Sequence, residues 1–285
     1  MTNIIVNQVF DKERSLYNLQ DAEVIECTFA GPADGESVLK ECRRIKVDRC
    51  LFSLRYPLWH VKDFVLIESS MDDKTRAPLW YSFNGEIEKC NIRGIKCLRE
   101  CGNIAISGCD IESPEFGWLC NNIKIYDSAV ISEYFLLGTK NVDIFNLKMN
   151  GKYSFQYMEN LSINNSKLDT KDAFWHSKNI TVKNSLVKGE YLGWFSEGLT
   201  LIDCHITGTQ PLCYCKNLKL INCTMEACDL SFEYSDVDAE IKGNIVSIKN
   251  PKSGTIKVDS VDNIIWEDAV MECNADIVIN NKILR

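Results

Sequence analysis

Aliphatic residues recur along this chain at a 19-residue interval, and they fall into three columns. The first column is Ile104, Ile123, Val142, Leu161, Ile180, Leu199 and Leu218; the second, two residues later, is Ile106, Ile125, Ile144, Ile163, Val182, Leu201 and Leu220; the third is Ile111, Val130, Met149, Leu168, Val187, Ile206 and Met225. Short alternating runs of this kind predict strands. Small residues lie between the second and third columns, at Cys109, Ser128, Ser166, Ser185, Cys204 and Cys223. The pattern therefore predicts short strands in every repeat and no amphipathic helix.

A corner residue precedes each position of the first column. These residues are Asn103, Asn122, Asn141, Asn160, Asn179, Gly198 and Asn217. Asn and Gly enter left-handed backbone space at the least cost, so we expect a positive φ or a ladder of side-chain amides at Asn141 and Asn160. A second corner is predicted at Gly94, Ser113, Ser132, Gly151, Thr170, Gly189 and Gly208.

Self-similarity at this period, with strands and without a helical half, predicts an all-β solenoid. We predict roughly thirteen rungs, stacked about 4.8 Å apart along the axis. The repeat is continuous, so one domain is expected over residues 1–285, with an N-terminal cap over 1–20 and a C-terminal cap over about 262–285.

Composition narrows the range of partners and cofactors. The net charge of −8 argues against a nucleic-acid partner and against polyanionic substrates. No apolar run is long enough to span a membrane, so no membrane partner is expected. The 14 cysteines occur without an apparent secretory signal, which predicts a cytoplasmic protein whose thiols, including Cys109, Cys204 and Cys223, are buried and free. No CxxC or nucleotide-binding motif is present, so neither a metal nor a cofactor is predicted.

Tryptophans share one column in the segment that follows the second corner, which the pattern predicts to be a further strand. The column contains Trp59, Trp80, Trp118, Trp175 and Trp194, and it is interrupted by Arg99, Leu137, Gln156 and Cys213. Three residues earlier a polar and aromatic column contains Lys96, Glu115, Tyr134, Tyr153, Asp172, Tyr191 and Gln210. Either the rings and carboxylates line an external groove that binds sugars, or the tryptophans fill the interior. The cost of an unpaired interior charge at Arg99 favours the external groove.

Asp172 departs from the chemistry of its column, because its neighbours one period away are Tyr153 and Tyr191. Functional residues in a solenoid should depart from the repeating chemistry, so we predict a pocket there. Its members would be Asp172, Trp175, Glu190, Tyr191 and Trp194, with Tyr153 and Tyr134 extending the ligand-binding column. A glycosidase needs two carboxylates about 5 to 9.5 Å apart, and Asp172 with Glu190 or Glu133 would supply such a catalytic pair.

Four motifs, "KDAFWHSKNITV", "GEYLGWFSEGLTLIDC", "QPLCYCKNL" and "FEYSDVDAEI", resemble a bacterial family catalogued as a domain of unknown function. More broadly, the sequence resembles the right-handed parallel β-helix, or pectin-lyase-like, superfamily. The resemblance implies this fold and carries no assigned reaction. If it marks a site, the site residues are Asp172, Trp175, Glu190, Tyr191, Trp194, Glu233 and Tyr234. The NTD and GHG motifs of polygalacturonases are missing from this sequence.

Three functions remain open from the sequence. The first is binding of an oligosaccharide or another small polar ligand along the aromatic and acidic face. The second is a hydrolase or lyase that acts on carbohydrate through paired carboxylates, and the third is a structural scaffold that docks another protein. The sequence leaves the choice between them, and the oligomeric state, undecided.

Overall fold

Strands and turns make up the whole of the described structure. The computed structural model describes residues 3–31 and 36–284. These residues contain no helix, and so none that is long and apolar enough to cross a membrane. Their contacts group the chain into two compact units, Met1–Lys148 and Met149–Arg285, and each is described by itself. The single domain over 1–285 with caps over 1–20 and 262–285 stays a prediction.

The first unit is built from fifteen strands in two parallel ladders. They are β1 (Asn3–Val6), β2 (Val9–Phe10), β3 (Gln20–Ile25), β4 (Thr28–Ala30), β5 (Arg43–Asp48), β6 (Leu51–Ser53), β7 (Lys62–Ile67), β8 (Ser70–Met71), β9 (Phe83–Glu88), β10 (Asn91–Ile92), β11 (Gly102–Ser107), β12 (Asp110–Glu112), β13 (Asn121–Tyr126), β14 (Ala129–Glu133) and β15 (Lys140–Phe145). Odd-numbered strands pair with odd-numbered ones and even-numbered with even-numbered ones, so each turn contributes one strand to each ladder.

The second unit starts on the same plan and ends in longer strands. Its strands are β16 (Lys148–Lys152), which begins at the last residue of the first unit, β17 (Glu159–Asn164), β18 (Lys167–Lys171), β19 (Lys178–Lys183), β20 (Leu186–Lys188), β21 (Glu197–Ile202), β22 (His205–Thr207), β23 (Leu218–Glu226), β24 (Asp236–Lys249), β25 (Ser253–Ile265), β26 (Asp276–Ile279) and β27 (Lys282–Leu284). The plan holds as far as β22, after which β23, β24 and β25 are longer, and β23, β24, β25 and β26 pair in succession. Strand β27 folds back antiparallel on β26.

The register confirms the predicted fold class and period. Ile104 pairs with Ile123 in the first unit, and Ile180 pairs with Leu199 in the second, each one 19-residue repeat apart. The chain forms an all-β parallel solenoid of about 14 turns, close to the roughly thirteen rungs predicted. The aliphatic columns point inward; for example, Ile106 and Ile111 are completely buried. Stacking identical positions therefore produces both the hydrogen-bonded ladders and the core.

The first corner has the predicted conformation. Asn141 and Asn160 have φ values of 56° and 60°. Elsewhere in the first unit the amides form a ladder, in which Asn122 Nδ2 donates to Asn103 Oδ1 at 2.7 Å and Asn103 Nδ2 donates to Asn84 Oδ1 at 2.9 Å. No Val, Ile or Thr has a left-handed φ in the described part of the chain, because a branched β-carbon clashes there.

Replacing Asn103 tests this corner. We expect Asn103→Ala to lower the free energy of unfolding by about 1 kcal/mol or more, because alanine tolerates the left-handed conformation poorly and cannot hydrogen-bond. Asn103→Gly keeps the conformation and loses only the amide, so it should cost less. Urea unfolding of both variants provides the measurement, and an Ala variant as stable as the wild type would contradict the corner assignment.

One predicted strand is wrong. The segment after the second corner is a turn in which every second residue is left-handed, as at Asp172, Phe174 and His176 with φ values of 55°, 64° and 55°. Asp172 N and His176 N donate to the next turn, whereas Phe174 N donates to Ser154 O in the preceding one. This alternation lets the consecutive residues Ala173 and Phe174 both point into the core, where they are 0% and 1% exposed.

The two inward positions of this turn compensate each other in volume in two successive repeats of the second unit. Ala173 precedes the large Phe174, whereas Leu192, one repeat later, precedes Gly193. A β-carbon on Gly193 would lie 2.9 Å from Leu212 Cδ2, so the space is already filled. Phe174 stacks on Phe155 of the preceding turn with ring centroids 5.2 Å apart. The core is therefore packed across turns as well as within them.

The cysteines are free and, except for half-buried Cys273, buried. This confirms the prediction that Cys109, Cys204 and Cys223 are buried free thiols. Burial raises the pKa of the Cys42 thiol to about 12. Thiolate is the reactive form, so little of it exists at neutral pH.

Thiol titration tests this burial. We expect a reagent such as an aromatic disulfide to label Cys273 in the native protein, and the other 13 of the 14 cysteines only after denaturation. Substituting Cys273→Ser should abolish the rapid phase. Fast labelling of most thiols under native conditions would contradict the buried arrangement.

Candidate functional site

The tryptophan column lies on the outside of the turns, half-buried, so of the two alternatives the one in which the tryptophans fill the interior is wrong. In the second unit Trp175 and Trp194 stack with ring centroids 5.4 Å apart and planes 6° from parallel. The Nε1 of Trp175 donates to Tyr191 O at 2.6 Å. Gln156 replaces an indole in this role, since its Nε2 donates to Asp172 O at 2.8 Å. The facing surfaces of Trp175 and Trp194 cover each other, so a sugar cannot stack between these two rings.

The same column in the first unit accommodates a charge. Trp59 and Trp80 stack with centroids 5.3 Å apart. The guanidinium of Arg99 then lies 5.0 Å from the Trp80 ring and 5.8 Å from the Trp118 ring. Cation–π attraction on both sides stabilises this position. Arg99 thus completes the stack, which explains how an arginine fits among the tryptophans.

Asp172 is buried, with only 5% of its surface exposed. Its backbone N–H donates to Glu190 O of the next turn at 2.9 Å, and Tyr153 N and Tyr191 N donate in the same way to Lys171 O and Thr209 O, so the three residues occupy the same position in successive turns. Its carboxylate has no hydrogen bond or ion pair with any residue that the structure describes. Burial raises the pKa of this carboxyl group; the positive charge of Lys171 opposes the shift and the negative charge of Glu190 adds to it.

Glu190 is exposed and already paired. Its carboxylate lies 2.8 Å from Lys171 Nζ, and the same ammonium group lies 5.3 Å from the Tyr191 ring centroid. Of the two carboxylates predicted to act together, Asp172 is therefore free and Glu190 is neutralised by a cation. Glu133, the alternative partner, ends strand β14 in the first unit.

Glu233 and Tyr234 lie later in the second unit, and their contacts are with its C-terminal segments. Glu233 Oε1 is 2.9 Å from Lys249 Nζ. The Tyr234 hydroxyl accepts a hydrogen bond from Val270 N at 3.2 Å and lies 3.5 Å from the Asp268 carbonyl oxygen. These contacts give both residues a role in holding the last turns together.

Tyr134 belongs to the first unit. Its side chain is exposed, and its carbonyl oxygen accepts a hydrogen bond from Trp118 Nε1 at 2.8 Å. The two rings meet edge to face, with centroids 6.2 Å apart. In the second unit, Asp172 is hydrogen-bonded through its backbone to Glu190 of the next turn, and the adjoining Tyr191 contacts both Trp175 and Trp194.

Sequence reasoning missed a second aromatic ladder beside the tryptophans. Tyr157, His176, Phe195 and Tyr214 stack in succession with centroids 5.0, 5.0 and 4.8 Å apart. Tyr157 and Phe195 are 57% and 45% exposed. The signal was available, because these four aromatic residues recur at the same 19-residue interval. The ladder forms one wall beside the outer edges of Trp175 and Trp194.

An open depression of mixed polarity in the first unit was also not predicted. Its volume is about 490 Å³, and its lining combines apolar residues such as Phe64 and Ile104 with the polar residues Asp63, Asn84, Asn103, Glu86 and Lys124. Glu86 and Lys124 form no ion pair with any other residue in the described ranges. The depression is a second place on this chain that could receive a small polar molecule.

The fold and the outer face together define a parallel β-solenoid with a hydroxyl- and carboxylate-bearing surface. Residues 3–279 match the family described as Protein of unknown function (DUF3737), and the chain belongs to that family. This confirms the family resemblance of the sequence motifs. A comparison with curated proteins finds no match.

Several solved structures are similar in fold to this chain. The mannuronan C-5 epimerase AlgE6 A-module of Azotobacter vinelandii is 10% identical with a TM-score of 0.45, over 97% of this chain and 89% of that one. PfbA, a surface adhesin of Streptococcus pneumoniae, is 8% identical with a TM-score of 0.46, over 94% and 92%. A hyperthermoactive exopolygalacturonase from Thermotoga maritima is 8% identical with a TM-score of 0.33, over 99% and 84%. Likenesses at this level carry no argument about activity.

Proposed function

We propose that the outer face of the second unit binds a neutral, hydroxyl-rich ligand such as an oligosaccharide at Asp172. The observation that carries this proposal is a carboxylate that is 5% exposed and has no partner among the described residues. Neither carboxylate oxygen is fully enclosed, so the group opens to the surface, where a ligand can reach it. A ligand that covers it must supply hydrogen-bond donors of its own, since buried polar groups are almost always hydrogen-bonded. Ligand hydroxyl groups are the donors that would satisfy it.

The residues around Asp172 define how such a ligand would be held. Tyr153 and Tyr191 stand one turn to either side and offer phenol groups that donate and accept hydrogen bonds. Lys171 and Glu190 form a charged rim. The facing surfaces of Trp175 and Trp194 are covered, so these rings would contact a ligand through their edges and recognition would rest on hydrogen bonds.

Binding is favoured over turnover by the state of Glu190. A hydrolase of the two-carboxylate kind needs both groups free to act on the substrate. Glu190 is held by Lys171 at 2.8 Å, which leaves Asp172 as the one unpaired member of the predicted pair. Incubation with a bound oligosaccharide should therefore yield the unchanged ligand, and release of a shorter product would favour the enzyme instead.

Isothermal titration of Asp172→Asn tests the proposal, with a ligand found by screening a neutral oligosaccharide array. We expect at least a tenfold loss of affinity, since hydrogen bonds to charged groups contribute about 1.5–3 kcal/mol. Asp169→Asn removes an exposed carboxylate that is paired with Lys188, and it should bind normally. Glu86→Gln, in the depression of the first unit, serves as a second control. Loss of binding in Glu86→Gln with full binding in Asp172→Asn would overturn the proposed site, as would an array without a hit.

The stability of Asp172→Asn should depend on pH in a defined direction. The folded-state pKa of Asp172 is raised by burial, so the folded protein binds the proton more tightly than the unfolded chain. Wild-type stability should therefore fall as pH rises from the ordinary aspartate range through the folded-state pKa. We expect Asp172→Asn to be at least as stable as the wild type at neutral pH, with the difference vanishing below about pH 4. Thermal melting across pH measures this, and a clearly less stable variant at pH 7 would make Asp172 a structural residue.

A further inference from the structure

The depression in the first unit has one acidic and one basic side chain on either side of a small residue. Glu86, Ala105 and Lys124 occupy the same outward position in three successive turns, because β9 pairs with β11 and β11 pairs with β13 in this register. Glu86 and Lys124 are exposed and Ala105 is half-buried. Two strand spacings separate the backbones of the charged residues, which is about 10 Å. Their long side chains therefore flank a gap above the alanine.

The two charges have no ionic partner of their own. Elsewhere in the first unit an ion pair joins residues one turn apart, as with Lys96 and Glu115 at 3.2 Å. Between Glu86 and Lys124 an alanine interrupts that arrangement. Lys124 has Asp143 one turn away on its other side, yet neither of them forms an ion pair with any residue in the ranges 3–31 and 36–284. Both charges of the depression are therefore available to a ligand.

A hydrogen-bond acceptor is also open beside Lys124, at the end of the amide ladder. Asn122 Nδ2 donates to Asn103 Oδ1, which continues the ladder in one direction. In the other direction Asn141 Nδ2 donates to Asn121 Oδ1 at 2.7 Å and leaves out the neighbouring amide. Asn122 Oδ1 consequently accepts no hydrogen bond from the part of the chain that the structure describes. Asn122 and Lys124 lie two residues apart on β13 and line the same depression.

We propose that this depression binds a zwitterionic α-amino acid with a carboxamide side chain, of which glutamine is an example. The α-ammonium group pairs with Glu86, the α-carboxylate pairs with Lys124, and the side-chain amide donates a hydrogen bond to Asn122 Oδ1. The volume of about 490 Å³ lies within the range of about 300–1,000 Å³ that is usual for small-molecule sites.

The charges of the lining select this class of ligand. Glu86 and Lys124 carry opposite charges, so a zwitterion pairs with both, whereas an ion of one sign leaves one of them uncompensated where the ligand covers it. Asp63, the other acidic residue of the lining, accepts a hydrogen bond from Asn84 Nδ2 at 2.9 Å. At Asn122 Oδ1 a carboxamide supplies the donor that an acceptor needs, and the carboxylate of glutamate would place two acceptors together.

Isothermal titration of the full chain with L-glutamine tests the site. We expect saturable binding of one molecule per chain, and affinities at least tenfold weaker for Glu86→Gln and Lys124→Gln, because each variant loses a hydrogen bond between charged groups. Asp143→Asn is the matched control, since it removes an exposed carboxylate of the same column that lies outside the depression. This variant should bind glutamine at least as tightly as the wild type, and Asp172→Asn should bind it normally.

Two modified ligands assign the contacts. N-acetylglutamine lacks the α-ammonium charge and glutaminamide lacks the α-carboxylate, so each should bind the wild type at least tenfold more weakly than glutamine. Glu86→Gln should bind N-acetylglutamine no worse than the wild type does, because that ligand has already lost the contact with Glu86. Thermal melting checks that each variant is folded. A wild type that does not bind glutamine would overturn the proposal, as would equal binding of the three ligands or an unchanged affinity in either charge variant.

Discussion

Gly208→Ala is expected to destabilise the protein by about 3 kcal/mol or more, through overpacking and backbone strain together. Gly208 has a φ of 135°, which side chains rarely adopt, and a β-carbon there would lie 1.9 Å from Gly189 O. The clash is with backbone of the preceding turn, so no side-chain rotation can relieve it. Either the corner must move or the turns must separate and lose ladder hydrogen bonds.

Gly243→Ala is the matched control for this effect. Gly243 has a φ of 81°, and a β-carbon there would meet no atom within 4 Å. Only the conformational cost remains, which is about 1 kcal/mol for one residue. Urea unfolding of both variants measures the difference. Equal losses of stability in the two variants would show that the close approach at Gly208 contributes nothing.

Phe174→Ala is expected to cost about 3–5 kcal/mol, as large-to-small replacements of a buried aromatic residue generally do. Phe174 is 1% exposed and stacks on Phe155. Its neighbour Ala173 is too small to fill the space that the ring would leave. The loss combines the transfer energy of the ring with the cost of a cavity that the rigid ladders keep open.

Phe195→Ala separates this effect from aromatic stacking in general. Phe195 is 45% exposed, although it stacks on His176 and Tyr214. A surface stack contributes about 0.5–1.5 kcal/mol, so this variant should remain within that range. Chemical unfolding compares the two directly, and a Phe195→Ala variant as unstable as Phe174→Ala would show that the exposed ladder is part of the core.

Asp172 illustrates why the candidate site was only partly predictable. Its difference from Tyr153 and Tyr191 is a property of the sequence at one fixed period. An aspartate is expected at the surface, however, and its burial depends on how the preceding and following turns cover it. The ion pair of Glu190 with Lys171 likewise joins residues of different turns, with side-chain positions that a repeat pattern does not specify.

The second corner shows the same limit for the backbone. Gly208 and Thr170 share a column, and both were predicted to be corner residues. Gly208 has a left-handed backbone conformation, whereas Thr170 does not. Thr170 is buried, and its Oγ1 donates a hydrogen bond to Ser154 Oγ. One column therefore holds two local conformations, and the neighbouring turn selects between them.

The sequence by itself determined the solenoid, its period and the first corner, because aliphatic alternation and the backbone preference of asparagine are local properties that repetition reinforces. Only the tertiary structure decided that the segment around Phe174 is an alternating left-handed turn, since aromatic residues have no intrinsic preference for that conformation and enter it when the ladders and the core require it. The covered faces of Trp175 and Trp194 were decided in the same way. The two indole rings stack only if their residues lie opposite each other in successive turns, and the register of the completed ladders decides this.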